Sequence, residues 1–443
     1  MDYLNTLIYY LSTFAYFVIA LGILVFVHEL GHFLVAKKSG IRVERFSLGY
    51  PPKMIGITVG ETEYCISWIP FGGYVKVAGM ADVGTAPTSG APWEFPSKPI
   101  WVRMAVIAAG PFMNFAFAFA AFLGLFAAYG LDTYETTAVL PAENSPAAQS
   151  GILRGDQVLQ VAGRPVGNEH QLIQALKSTH RRGAKVELKR EGQVLQVDLP
   201  AAEQEDYGLD VLLLTTVGQV VSDMPAAQIG LQPGDHILSV AGQAVADWEQ
   251  MKEQISSHPG ESVLIEWERE GQLMQSQITP IAHTEGEKSV GQIGISPKVS
   301  QTSVGAGEAL RLSGRVMYNS SWLILDFIRQ LFQGDRSTEE LGGPLRIAQM
   351  AGQTGEQGIK SFVSFLAMLS VNLAIINLLP IPVLDGGLLT FLTLEAIRRR
   401  PLTVRQQQLF QQVGLAIMLF IMVLVTFNDL NQMVFHRIME LFE

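Results

Sequence analysis

Residues 28–32 read His-Glu-Leu-Gly-His, at the end of a run with no charged residue between Asp2 and His28. On a helix His28 and His32 stand one turn apart on one face, so both imidazoles can reach a single metal ion. Glu29 lies beside that face, where it can take a proton from an attacking water. Two histidines four apart, with a glutamate after the first, are the pattern of zinc-dependent peptide hydrolysis. The apolar setting sharpens the reading, because ionisable groups in a membrane helix are costly and mark functional sites. The chemistry to expect is therefore hydrolysis carried out within a membrane.

A tetrahedral zinc ion held by two histidines still lacks one protein ligand beside water. Cys65 is the only cysteine, which excludes an intrachain disulfide and a cysteine-rich site and leaves His, Asp or Glu. Asp385 is the best candidate. It is the first charge after a long apolar stretch, in Asn372-Leu-Ala-Ile-Ile-Asn377-Leu-Leu-Pro380-Ile-Pro382-Val-Leu-Asp385-Gly386-Gly387. Pro380 and Pro382 interrupt the helix, and irregular backbone at membrane depth survives only when buried in protein or lining a cavity. Taken alone, Asp-Gly-Gly could also be an ordinary helix end at the interface; the histidine pair favours ligation.

The elements that must position these groups follow from composition. The chain has 443 residues, of which 48% are hydrophobic and 16% charged, against about 25% charged in soluble domains. Its formal net charge of −10 argues against nucleic acid as a partner. Four segments reach the length of about 20 apolar residues that crossing a bilayer requires: about Leu7 to Ala36, Met104 to Leu131, about Ser361 to Val383, and about Leu409 to Phe427. The first has no basic start and carries the histidines, so it does not read as a cleavable signal peptide. Lys37, Lys38, Arg42, Arg45 and Lys53 follow the first span, and Arg398, Arg399, Arg400 and Arg405 separate the last two. Both loops are expected in the cytoplasm, with both termini and the large central insert outside.

The insert repeats itself. Pro146-Ala-Ala-Gln149 recurs as Pro225-Ala-Ala-Gln228, Gly155-Asp156 as Gly234-Asp235, and Arg190-Glu-Gly-Gln193 as Arg269-Glu-Gly-Gln272, all at an offset of 79 residues. Units of that length are small domains rather than solenoid repeats. Each is expected to hold short strands such as 186–190 and 263–269, and helices near 168–178 and 247–256. Residues 151–163 and 230–242 look like the core of a bacterial PDZ domain, a fold that can bind a peptide as an added strand. A spacer or steric gate without a peptide ligand is equally consistent with the sequence. The histidines scattered through the insert, His170, His180, His236, His258 and His283, read as surface or packing residues.

Taken together, the histidine motif, Asn377-Pro380-Pro382-Leu384-Asp385-Gly386 and the paired PDZ-like insert resemble the site-2 protease family of intramembrane zinc metalloproteases over nearly the whole chain. The resemblance implies one Zn²⁺ held by His28, His32 and Asp385, Glu29 as base, and roles for Asn372 and Asn377 in substrate handling. It also implies that Tyr64–Lys76, read as strand, turn and strand around Gly72 and Gly73, belongs to a re-entrant β-hairpin whose edge holds substrate extended. Gly110-Pro-Phe-Met-Asn114 fits a family element and suits close helix packing. The substrate implied is a single-span membrane protein of the anti-sigma-factor type, with remnant signal peptides as a second kind, in an envelope-stress pathway at a bacterial inner membrane, with the insert periplasmic.

The fold expected is thus a polytopic α-helical membrane protein with four transmembrane helices, a membrane-associated β-hairpin and two external α+β PDZ domains. Its expected divisions are 1–131, 132–220, 221–300, an amphipathic external region 301–358 with an interfacial helix over 309–332, and 359–443 with a short amphipathic tail from Leu430. Two rival readings are a zinc transporter, since polar residues in spans also mark ion paths, and an inactive membrane adaptor that presents PDZ domains. The first lacks inverted repeats among its spans, and the second leaves the full ligand set unexplained.

Overall fold

In the computed structural model, which describes residues 2–80, 89–202, 207–222, 224–285, 288–336, 342–400 and 403–442, helix follows the long apolar runs. α1 (Asp2–Lys38) leads through strands β1 (Val43–Val59) and β2 (Thr62–Val77) to α2 (Ile100–Tyr129). The insert carries α3 (Pro146–Gln149), α4 (Glu169–Thr179), α5 (Pro225–Gln228) and α6 (Trp248–Ser256). α7 (Ala306–Gln333), α8 (Pro344–Glu356), α9 (Ile359–Leu378), α10 (Asp385–Arg398) and α11 (Val404–Phe442) complete the chain. Among the described residues four stretches are long and apolar enough to span a membrane: Leu7–Lys38, Ile100–Tyr129, Ile359–Leu378 and Gln408–Asn431. The chain divides into two compact units, Met1–Gly130 with Val304–Glu443, and Leu131–Ser303.

In the helical unit α2 packs against α1, α9, α7 and α10. Small residues set the closest approaches. A side chain at Gly31 would run into the Ala109 carbonyl, and one at Gly352 would overlap Thr13 of α1. Ala118 and Phe122 of α2 form a core with Ala367, Val371 and Ile375 of α9, and Val316, Met317 and Ile324 of α7 pack on it. So α7 lies along α2 and α9 with one face, while Tyr318, Trp322 and Leu323 remain exposed on it.

α9 ends at Leu378, earlier than hydropathy suggested, because the two prolines that follow cannot supply helical N–H groups. α10 is tied to α2 by a bidentate ion pair, with Arg103 Nη2 donating to Glu395 Oε1 at 2.6 Å. α11 continues through Leu430 as one helix, with no separate tail. Gly414 faces Pro382 with no room for a side chain. Further along α11, the buried Asp429 accepts backbone N–H groups of Gly343, Leu345 and Arg346 at 2.9, 3.1 and 3.2 Å, capping α8.

β1 and β2 meet at a turn at Gly60-Glu61, and the chain reverses again between Ile66 and Gly73, so Tyr64–Lys76 is strand, turn and strand with 45–48 inserted between its two arms. β2 spans Thr62–Val77. Its first part, 62–66, lies between 55–59 and 45–48, and its last part, 73–77, pairs with the other side of 43–48. Among the described residues the strand 73–77 pairs only with β1, which leaves its other edge free. The outer half exposes Ile55, Ile57, Ile66 and Trp68, an apolar surface of the kind that marks membrane or partner contact.

In the unit 131–303, the strand Leu131–Thr133 pairs antiparallel with Ser300–Thr302, so the insert starts and finishes at one place. Each copy has a four-stranded antiparallel sheet: 164–165, 157–161, 184–190 and 193–199 in the first, and 243–244, 236–240, 263–269 and 272–278 in the second. Val158, Leu172 and Leu188 of one core answer Ile237, Met251 and Trp267 of the other. The sequence repeat also has a polar cause. Arg190 grips Asp156 through Nε and Nη2 at 2.7 and 2.6 Å and donates to the Gly151 carbonyl; Arg269 does the same to Asp235, at 2.7 Å for both bonds, and to Gly230. Burial pushes both carboxyls up, but the guanidinium pairing outweighs it and holds them below the usual range. Asn168 and Asp247 cap α4 and α6 at equivalent positions.

Candidate metal centre and active-site cavity

α1 carries His28 and His32 one turn apart, and both side chains face α2 and the start of α10. His28 Nε2 lies 3.1 Å from His32 Nε2 and 3.1 Å from Asp385 Oδ2, and His32 Nε2 lies 3.5 Å from the same oxygen. Among the described residues these three are the group of His, Cys, Asp and Glu side chains close enough to share an ion. Zinc bonds of about 2.0–2.1 Å in tetrahedral geometry put donors roughly 3.3 Å apart, close to these separations. Asp385 Oδ2 is buried and receives no hydrogen bond, as a ligand oxygen awaiting a cation would be. The donor set fits zinc.

The histidine ring atoms facing away from this point are also held. His32 Nδ1 donates to the Val106 carbonyl at 2.8 Å, so its Nε2 carries a free lone pair. His28 Nδ1 lies 3.2 Å from the Asn114 amide. Gly110, between these two positions on α2, has no room for a side chain: a Cβ there would strike His32 Nε2 and come within 2.8 Å of His28 Cε1.

Asp385 opens α10 after a loop that doubles back on it. Gly386 and Gly387 lie against the carbonyls of Leu379 and Ile381, where any Cβ would collide. Val383, a β-branched residue, sits at φ +84° two positions before the carboxylate, backbone strain of the kind that collects at functional sites.

A cavity of about 360 Å³ joins these groups. His28, Glu29, His32 and Asp385 line it with Tyr50, Gly72, Gly73, Val75, Leu373 and Asn377. Glu29 lines the cavity beside Val75, so the acid lies next to the strand whose other edge is free. Gly73 is forced by Val25 and the Ser47 carbonyl; Gly72, at φ +152°, lies against the Tyr50 ring, itself stacked on Tyr74. Thus five of the six side-chain candidates, His28, Glu29, His32, Asn377 and Asp385, meet here with both glycines; Asn372 does not line the cavity. It stands five residues before Asn377, about 140° around the helix, whereas Leu373 is one turn away and shares the face. Tyr50, Gly110 and Asn114 belong to the site without being sequence candidates for it. Only the four-residue spacing of Val106, Gly110 and Asn114, matching that of the histidines, hinted at a common face.

The chain is similar to known proteins over most of its length. Residues 16–421 match the model of peptidase family M50. A putative zinc metalloprotease of Neisseria meningitidis is 31% identical over 446 residues, covering 96% of this chain and 100% of that protein. A putative zinc metalloprotease of Vibrio cholerae is 34% identical, covering 96% and 99%. The regulator of sigma-E protease RseP of Escherichia coli is 32% identical over 450 residues, covering 96% and 99%. Among solved structures, the PDZ domain of an SdrC-like protein of Listeria monocytogenes is 26% identical, covering 19% of this chain and 85% of that one, with a TM-score of 0.16.

Proposed function

This chain belongs to peptidase family M50 and is a multi-pass intramembrane zinc metalloprotease, and from that premise we propose that it cuts a peptide bond within the transmembrane segment of single-span membrane proteins, using His28, His32 and Asp385 to hold one zinc ion. The observation that carries this reading is the convergence of those three ligand atoms beside Glu29 and a free strand edge in one cavity. Zinc bound there supplies Lewis acidity, polarising the scissile carbonyl and making water a better nucleophile near neutral pH. Glu29 takes the proton of the attacking water and returns it to the leaving amine. A transmembrane helix hides its carbonyls, so the substrate must be drawn out locally. The free edge of 73–77 can hold it as an added strand. Asn377 offers an amide to the opened backbone from the far wall.

The relatives named as regulators of sigma-E protease support a substrate of the anti-sigma-factor type, already shortened outside the membrane; remnant signal peptides share the same chemistry. The PDZ-like copies would exclude bulky external domains or capture newly made C-termini. The basic loops after the first span and before the last support a cytoplasmic-side zinc site with the insert periplasmic in a bacterial inner membrane. Single cysteines at Arg399 and Gln193, labelled from either side of intact cells, check this; labelling of Arg399→Cys from outside would refute it.

Cleavage of a single-span substrate by the purified protein in detergent, beside Glu29→Gln and Asp385→Asn, is the deciding experiment. Glu29→Gln is expected to keep zinc and lose roughly 10²–10⁴-fold in rate. Asp385→Asn is expected to lose both zinc and cleavage. Full zinc and full activity in Asp385→Asn would remove the third ligand, and full activity in Glu29→Gln would remove the base.

A further inference from the structure

We infer that Asn114 is the positioning residue of His28: its amide oxygen accepts the Nδ1 proton and so leaves Nε2 unprotonated toward the ion. The inference rests on the zinc reading above. A histidine that ligates through Nε2 carries its proton on Nδ1, and that N–H then needs an acceptor in a buried place. The group within hydrogen-bond distance of His28 Nδ1 is the Asn114 side-chain amide, at 3.2 Å.

Asn114 is completely buried, and one of its two polar side-chain atoms, Oδ1, has no partner while Nδ2 faces the ring. That orientation suits the opposite tautomer, with the imidazole proton on Nε2, between His32 and Asp385, where it would block ligation. Exchanging the amide oxygen and nitrogen moves no other atom and turns the oxygen to the ring.

The backbone of Asn114 is fixed independently, since its carbonyl accepts the buried Ser370 hydroxyl of α9 at 2.9 Å. α2 thereby serves both histidines from one face. The Val106 carbonyl holds His32, the Asn114 amide holds His28, and Gly110, one turn from each, gives the rings their space. The Gly-Pro-x-x-Asn element thus has a task beyond helix packing.

The test is zinc affinity of the purified full-length protein, by competition with a chromophoric chelator, together with the visible spectrum of the Co²⁺-loaded form. Asn114→Leu, which keeps the bulk and removes the acceptor, is expected to bind zinc about 10–100-fold more weakly and to alter the cobalt bands. Asn114→Asp, which keeps an oxygen acceptor, is expected to stay within about threefold of the parent. Parent-like affinity in Asn114→Leu would overturn the inference. So would a tenfold or greater loss in Asn114→Asp, which remains decisive if the leucine variant does not fold. A parent that binds no zinc, or whose affinity is unmoved by His28→Ala, would instead sink the metal site itself.

Discussion

At the residue scale, a methyl group at position 110 would occupy the space of the histidine rings. Gly110→Ala is therefore expected to weaken zinc by about 10–100-fold while the helix content stays unchanged, since alanine is the better helix former. Chelator competition and circular dichroism on one preparation check both halves; unchanged affinity would mean the rings have slack that their contacts do not suggest. His28, Glu29 and His32 could be read from sequence because a helical turn is a local geometry. Asp385 was legible only as the first charge after an apolar run, and Gly110 not at all as a site residue. Its importance depends on which helix crosses α1 at that height, which no local period encodes.

At the element scale, α10 carries Asp385 and is pinned to α2 by the Arg103–Glu395 pair, both side chains mostly buried. Arg103→Met leaves Glu395 without its partner. We expect a loss of about 1–3 kcal/mol, less than for a fully buried pair because some solvent reaches it. Thermal unfolding in detergent should show it, and Arg103→Met with Glu395→Leu should recover part; a double variant no better than the single would deny the coupling. α8 depends on α11 in the same way. Asp429→Asn is expected to cost about 0.5–2 kcal/mol and to speed hydrogen exchange at Leu345 and Arg346 before any other helix, and uniform exchange would argue against a cap. Hydropathy found the four spans, because apolar length is a composition property. The strand, turn and strand of Tyr64–Lys76 were legible too, but not that 45–48 lies between the two arms; Gly72 and Gly73 are also required because Tyr50, Val25 and the Ser47 carbonyl crowd them.

At the scale of the whole molecule, the duplication was visible as a 79-residue offset, and its reason appears only in three dimensions. The repeated Gly-Asp and Arg-Glu-Gly pieces meet as an ion pair that closes each copy. Asp156 and Asp235 sit below the ordinary carboxylate range when folded. Such groups stabilise the fold above the unfolded pKa of about 3.9 and lose that contribution as pH falls through the depressed value. The urea midpoint of the excised 131–303 unit should hold from about pH 7 to 5 and fall below about pH 4. The variant Asp156→Asn/Asp235→Asn should start lower and fall less steeply. Parallel profiles for the two proteins would show that other carboxyls govern acid unfolding.

The cap on α8 also has a consequence for the order in which the protein is made. Asp429 lies 86 residues after the Gly343 amide it binds. His28, His32 and Asp385 have all left the ribosome before it. For the interval needed to synthesise the last span, at about 5–20 residues per second, the nascent chain holds every ligand while the start of α8 is still uncapped. Capping of α8 is then timed by the synthesis of α11. A ribosome stalled just short of residue 429 would display a chain with its ligand set complete and α8 still frayed.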